Sequence, residues 1–156
     1  MEKNAKWIVG GILALGMAYS ADAPKFRYWS HSDLENAENK LAAKMDSHKF
    51  ALGVLGDEGN HRYLTVHREA TGEAEYHGTE GDVMVIQSGE GTLVYGGKMV
   101  NARTTAPNEQ RGPSIEGGTE QRIAAGDVIA IPAKMPHQVT LAPGKTINYM
   151  VVKITE

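Results

Sequence analysis

Apolar and polar positions change their period once along the chain, close to residue 48. Within residues 30–47 (SHSDLENAENKLAAKMDS), Leu34, Ala37, Leu41 and Met45, with Ala42 beside them, recur at intervals of three and four and predict one amphipathic helix. Ser32 and Glu35 supply a capping-box spacing at its start. The apolar stripe is narrow, so the helix is expected to lie on the outside of the main domain. From His48 onward the texture is short and β-prone: KFALGVL, HRYLTVHR, EAEYH, DVMVIQ, GTLVYGG, TEQRI, DVIAIP, HQVTLA and INYMVVKI. Several of these runs alternate apolar with polar residues, and glycine-rich polar breaks such as GDEGN, GTEG, SGEG and APGK separate them. Eight or nine strands predict an all-β sandwich or barrel carrying one N-terminal helix. Residues 101–118 (NARTTAPNEQRGPSIEGG) show no convincing period and are expected to form a long loop, either a functional lid or a surface excursion.

Composition agrees with one soluble domain. A chain of 156 residues is long enough to bury a single real core. A net charge of -3 lacks the basic excess of a nucleic-acid binder. Eighteen glycines favour many tight turns, and the absence of cysteine excludes a disulfide framework. Residues 1–20 read as a Sec-type signal peptide: Lys3 and Lys6, an uncharged run from Trp7 to Tyr19, then the small-residue stretch from Ser20 to Ala23. The thirteen-residue run is shorter than the roughly 20 residues that span a bilayer, which sets an uncleaved anchor in second place. Cleavage after Ser20 is favoured over cleavage after Ala23, which would leave Pro24 next. The expected organisation is a cleaved signal over 1–20, an extension and helix over 21–47, and a β-domain over 48–156. The product would be exported, to the periplasm or the medium, with no membrane attachment after cleavage.

Glu75, His77, Asp82 and His137 form the densest set of candidate ligands. Glu75 and His77 are two apart, so on a strand they share a face. Asp82 opens the next run, with Met84 and Ile86 on its face, and His137 shares a face with Val139 and Leu141, with Pro132 and Pro136 shaping the loop before it. Two imidazoles and one or two carboxylates in an apolar interior make a site for one divalent ion: Fe, Mn, Ni or Zn.

Residues 75–89 (EYHGTEGDVMVIQSG) resemble the first motif of the cupin superfamily, an HxH pair followed by Glu and then Gly. His77 takes the second His, Asp82 the Glu, and Gly89, after six intervening residues, the Gly; Glu75 stands at the first His position. Residues 126–137 (GDVIAIPAKMPH) resemble the second motif through Gly126, Pro132 and His137, with Lys134 where the family usually has Gly and Leu141 where it often has Asn. The resemblance spans roughly residues 60–150 and implies a jelly-roll barrel holding a metal through His77, Asp82 and His137, with Glu75 as fourth ligand. The added carboxylate tilts the choice toward Mn or Fe over Cu. Cupins also often pair as dimers, and the run INYMVVKI, as a core or edge strand, is a candidate for that contact.

Other polar residues compete for roles. His61, Tyr63, Thr65 and His67 alternate along one strand face; if it looks inward, Tyr63 and His67 join Glu75 as catalytic candidates. Arg103, Arg111 and Glu116, on the long loop, are placed to close over an anionic or polar ligand or, the favoured reading, to decorate the surface. Glu80 is expected to be solvated, and His31 and His48 are assigned no chemistry. The expected function is that of an exported metal-dependent enzyme acting on a small polar molecule, of oxygenase, isomerase or lyase type. The alternatives are a non-catalytic small-ligand binder or sensor, with or without metal, and a metal-free structural module.

Overall fold

The computed structural model describes residues 25–156, so the expected signal peptide and its cleavage points lie outside the described residues. One helix, α1 (His31–Ala42), is followed by strands β1 (Phe50–Asp57), β2 (His61–Arg68), β3 (Ala74–His77), β4 (Glu80–Tyr95), β5 (Lys98–Val100) and β6 (Arg103–Ala106). The chain continues through β7 (Glu109–Gly112), β8 (Ser114–Glu116), β9 (Thr119–Ala124), β10 (Val128–Ile131), β11 (His137–Thr140) and β12 (Ile147–Thr155). Among the described residues no helix is long and apolar enough to cross a membrane.

The helix starts two residues earlier than the predicted cap. Ser30 Oγ accepts from the Asp33 amide at 3.1 Å, and an Asp33 carboxylate oxygen accepts from the Ser30 amide at 2.9 Å, closing the box with Asp in place of Glu. It also ends earlier than residue 47, because Asp46 Oδ1 accepts from the amides of His48 and Phe50 and turns the chain into β1. The helix packs on the outer face of β1 and β2, as its narrow stripe predicts.

All pairings are antiparallel, and two curled sheets share one strand. The first half of β4 lies between β12 and β10, while its second half lies between β11 and β9. One sheet therefore runs β1, β2, β12, β4, β10; the other runs β6, β7, β3, β11, β4, β9. The SGEG segment, expected to be a break, is the bend inside β4. Gly89 makes the bend possible: its φ is +78°, and a Cβ there would collide with the Thr146 carbonyl oxygen. Between the sheets lies one core, including Leu64, Met84, Ile86, Leu93, Val139 and Ile147.

One further expectation is corrected, and one pair of alternatives, core or edge, is decided. Residues 101–118 are not a structureless loop: they hold β6, β7 and β8, strands of three or four residues too short to show a period in sequence. The INYMVVKI run is no edge. It pairs with β2 on one side and β4 on the other, so it is closed to strand pairing between copies.

Candidate metal centre

Strand register brings the four candidate ligands together. His137 on β11 stands directly opposite Glu75 on β3. His77 follows two residues along the same face, and Asp82 enters from the start of β4, opposite Lys153 of β12 and Ile131 of β10. His77 Nε2 is 3.4 Å from Glu75 Oε2 and 3.5 Å from Asp82 Oδ2. His137 Nε2 is 3.8 Å and 3.5 Å from the same two oxygens. Glu75, His77 and His137 form one trio with donor atoms within 4.8 Å of one another, and Asp82 joins through the two histidines.

Both imidazoles are locked from behind. His77 Nδ1 lies 2.8 and 2.7 Å from the two carboxylate oxygens of Glu109, and His137 Nδ1 donates to the Met135 carbonyl at 3.0 Å. Each Nδ1 therefore carries a proton, and each Nε2 faces the centre. His77 Nε2 is buried with no hydrogen-bond partner of good geometry, a costly arrangement unless something occupies the centre. Bonds of about 2.1 Å at the tetrahedral angle would set ligand atoms about 3.4 Å apart. The observed separations of 3.4 to 3.8 Å match a single small cation.

The charges are arranged to suit one. Burial opposes ionisation of Glu75, but the His77 imidazole 3.4 Å away, Arg111 and His137 together hold its carboxyl down to about 2. Asp82 is likewise opposed by burial, yet it is held at about 2 by the His137 imidazole 3.5 Å away and by Lys153, whose ammonium lies 2.8 Å from Oδ1. Burial works against a charged His77, but the carboxylates of Glu75 and Asp82 beside it outweigh burial and Lys153 and raise its proton affinity. A proton here occupies the place a cation would take.

Glu75, Asp82 and His137 open onto a cavity of about 300 Å³, while His77 sits behind them, fully buried. The inward residues of β2 are Leu64, Val66 and Arg68, so Tyr63 and His67 face the other way. Tyr63 packs on Trp29 at 5.0 Å, and His67 Nδ1 bonds Asn148 Oδ1 at 2.7 Å with Glu69 at its other nitrogen. The structure brings neither to the centre. Arg111 does line the cavity, 3.9 Å from Glu75, whereas Arg103 pairs with Glu73 at the surface and Glu116 is exposed. Glu80 is half-buried and paired with Arg62 at 2.6 Å, and His48 lines the cavity mouth. Sequence reasoning missed Glu109 and Lys153. Only Lys153 left a signal, standing in period two with Tyr149 and Val151 on the inward face of β12.

No family model and no curated protein matches the chain. Solved structures do. A protein from Thermus thermophilus superposes with TM-score 0.54 at 17% identity, covering 75% of this chain and 92% of that one. A predicted oxalate decarboxylase from Thermotoga maritima gives 0.51 at 15%, covering 69% and 81%. A cupin-2 domain protein from Rhodospirillum rubrum gives 0.50 at 14%, covering 70% and 62%. The chain spans only 64%, 66% and 48% of three other matching structures. The first three likenesses show a jelly-roll fold like that of the cupin-2 domain protein, with the two motif segments seated on β3–β4 and β10–β11.

Proposed function

We propose that the barrel holds one divalent cation through His77, His137, Asp82 and Glu75, and that the protein is a metal-dependent enzyme acting on a small polar molecule in the adjoining cavity. The observation that carries this reading is the unpartnered, fully buried Nε2 of His77, aimed between two carboxylates with its ring fixed by Glu109. A bound ion would supply Lewis-acid polarisation of a substrate oxygen. The chain's own groups do the rest. Glu75, half-buried on the cavity wall and held ionised, is the residue placed to take a proton from a bound molecule when it does not ligate. Leu64, Val66, Met84 and Val151 shed water from the reacting end. Metal-dependent enzymes share this fold, and the choice among oxygenase, isomerase and lyase chemistry belongs to the proposal.

One observation favours a second reading. Lys153 supplies Asp82 with a cation of its own, which suits a non-catalytic cavity that binds a small ligand without metal. Elemental analysis of protein purified without a chelating tag separates the two. One ion per chain, lost in His137→Ala, is the expected result. Failure to find or load Fe, Mn, Ni or Zn would remove the enzyme reading. Export after cleavage at Ser20 is part of the same proposal, and N-terminal sequencing of secreted protein should begin at Ala21.

A further inference from the structure

Among the described residues, Arg68 lines the cavity with no carboxylate within 4.0 Å of its guanidinium, unlike Lys153 and Arg111. Lys153 is 2.8 Å from Asp82, and Arg111 lies 3.4 Å from Glu109. Arg68 is 6% exposed, and its one side-chain hydrogen bond among the described residues runs from Nε to the Tyr149 hydroxyl at 3.4 Å. Its guanidinium lies over the Phe50 ring, 4.7 Å from the centroid, in a space that any side chain at Gly72 would fill. A guanidinium stays charged at any ordinary pH, and holding it in a mostly buried place without an anion is costly. A fold that retains such a group, cradles it on three sides and leaves both its Nη groups without a protein acceptor has left room for an anion. The Tyr149 hydroxyl strengthens the case: it accepts from Arg68 and has no described acceptor for its own hydrogen, so it too is a donor at the cavity wall.

We propose that Arg68 and Tyr149 form a carboxylate-binding end of the cavity, and that the ligand is a small organic acid with a short apolar body reaching the centre formed by Glu75, His77, Asp82 and His137. The substrate class rests on the metal-enzyme reading; the anion site itself does not. The rigid fork of a guanidinium matches the two oxygens of a carboxylate. Leu64, Val66, Met84, Val139 and Val151 between the two ends offer no polar partner, which favours an organic acid over inorganic phosphate. A volume of about 300 Å³, at the lower end of small-molecule sites, limits the ligand to a few carbons or one ring.

The test uses the metal-loaded full chain, NMR titration, and butyrate and benzoate against butyramide and benzamide. At least one acid should bind saturably and at least tenfold more tightly than its amide, with shifts at Val66 and Val151. Arg68→Gln should weaken acid binding at least tenfold while leaving amide binding and metal content unchanged; Arg68→Lys should recover part of the loss, and Tyr149→Phe should cost a few fold. Equal binding of acid and amide, no binding of either acid, undiminished acid binding by folded Arg68→Gln, or displacement of the acids by millimolar phosphate would overturn the proposal. Metal content of the same samples keeps the two readings apart: acid preference without metal sinks only the metal centre, and full metal without acid preference sinks only the anion site.

Discussion

Glu109 is the residue outside the ligand set whose removal should damage metal binding most. Both of its oxygens lie within hydrogen-bond distance of His77 Nδ1, at 2.8 and 2.7 Å, and β7 sets it opposite His77 in register. Its charge raises the basicity of the ligating nitrogen, and its position stops the ring from turning. Removing such a partner typically lowers metal affinity about 10–100-fold, or about 1.4–2.7 kcal/mol. Glu109→Gln keeps an oxygen that can accept from Nδ1 but loses the charge, so its cost should lie near tenfold. Glu109→Ala loses both and should approach a hundredfold, with a further stability loss of about 1–3 kcal/mol from the stranded buried N–H. Competition titration of Zn or Mn against a chromophoric chelator measures the affinities, and exposed Glu116→Gln serves as control. Affinities of Glu109→Gln and Glu109→Ala within twofold of the parent would refute the account of how His77 is held.

Gly89→Ala should cost about 2–4 kcal/mol in urea denaturation, from a left-handed backbone and a Cβ pressed onto the Thr146 carbonyl; a loss below about 1 kcal/mol would contradict the bend in β4. Lys134, at φ +66°, should gain roughly 0.5–1 kcal/mol on replacement by Gly, since relief of left-handed strain exceeds the added unfolded-state entropy; unchanged or lower stability would deny the strain. Asp82 is held at about 2 in the metal-free fold against an ordinary 3.8, so its contribution, about 2 kcal/mol, is complete above roughly pH 4 and is lost as pH falls toward 2. Acid titration of Asp82→Asn should show a shallower limb, Glu75 supplying the remainder, and an unaltered limb would refute the assignment.

The strands DVMVIQ and INYMVVKI were the most legible, because they bury alternate residues and the glycines between the strands mark turns. The direction of β2 was not legible: both of its faces end up covered, one by the cavity and one by α1 and Trp29, so its polar and apolar residues alternate without revealing which side is in. That ambiguity placed Tyr63 and His67 at the centre and left out Arg68, which shares the inward face with Leu64 and Val66. Glu109 was hidden for another reason. Its role depends on a pairing between β3 and β7 across 32 residues, and four-residue strands carry too little pattern to announce such a contact. The four candidate ligands were readable because two local spacings each fix a pair of elements, and the barrel closes them on one another.

Diffraction from a crystal soaked in Zn or Mn, recorded at the metal's absorption edge, tests the central claim most directly. The account predicts one anomalous peak per chain, about 2.0–2.2 Å from His77 Nε2, His137 Nε2 and a carboxylate oxygen of Asp82, with Glu75 alongside. A chain with no peak between those side chains, or with its peak elsewhere, would contradict it.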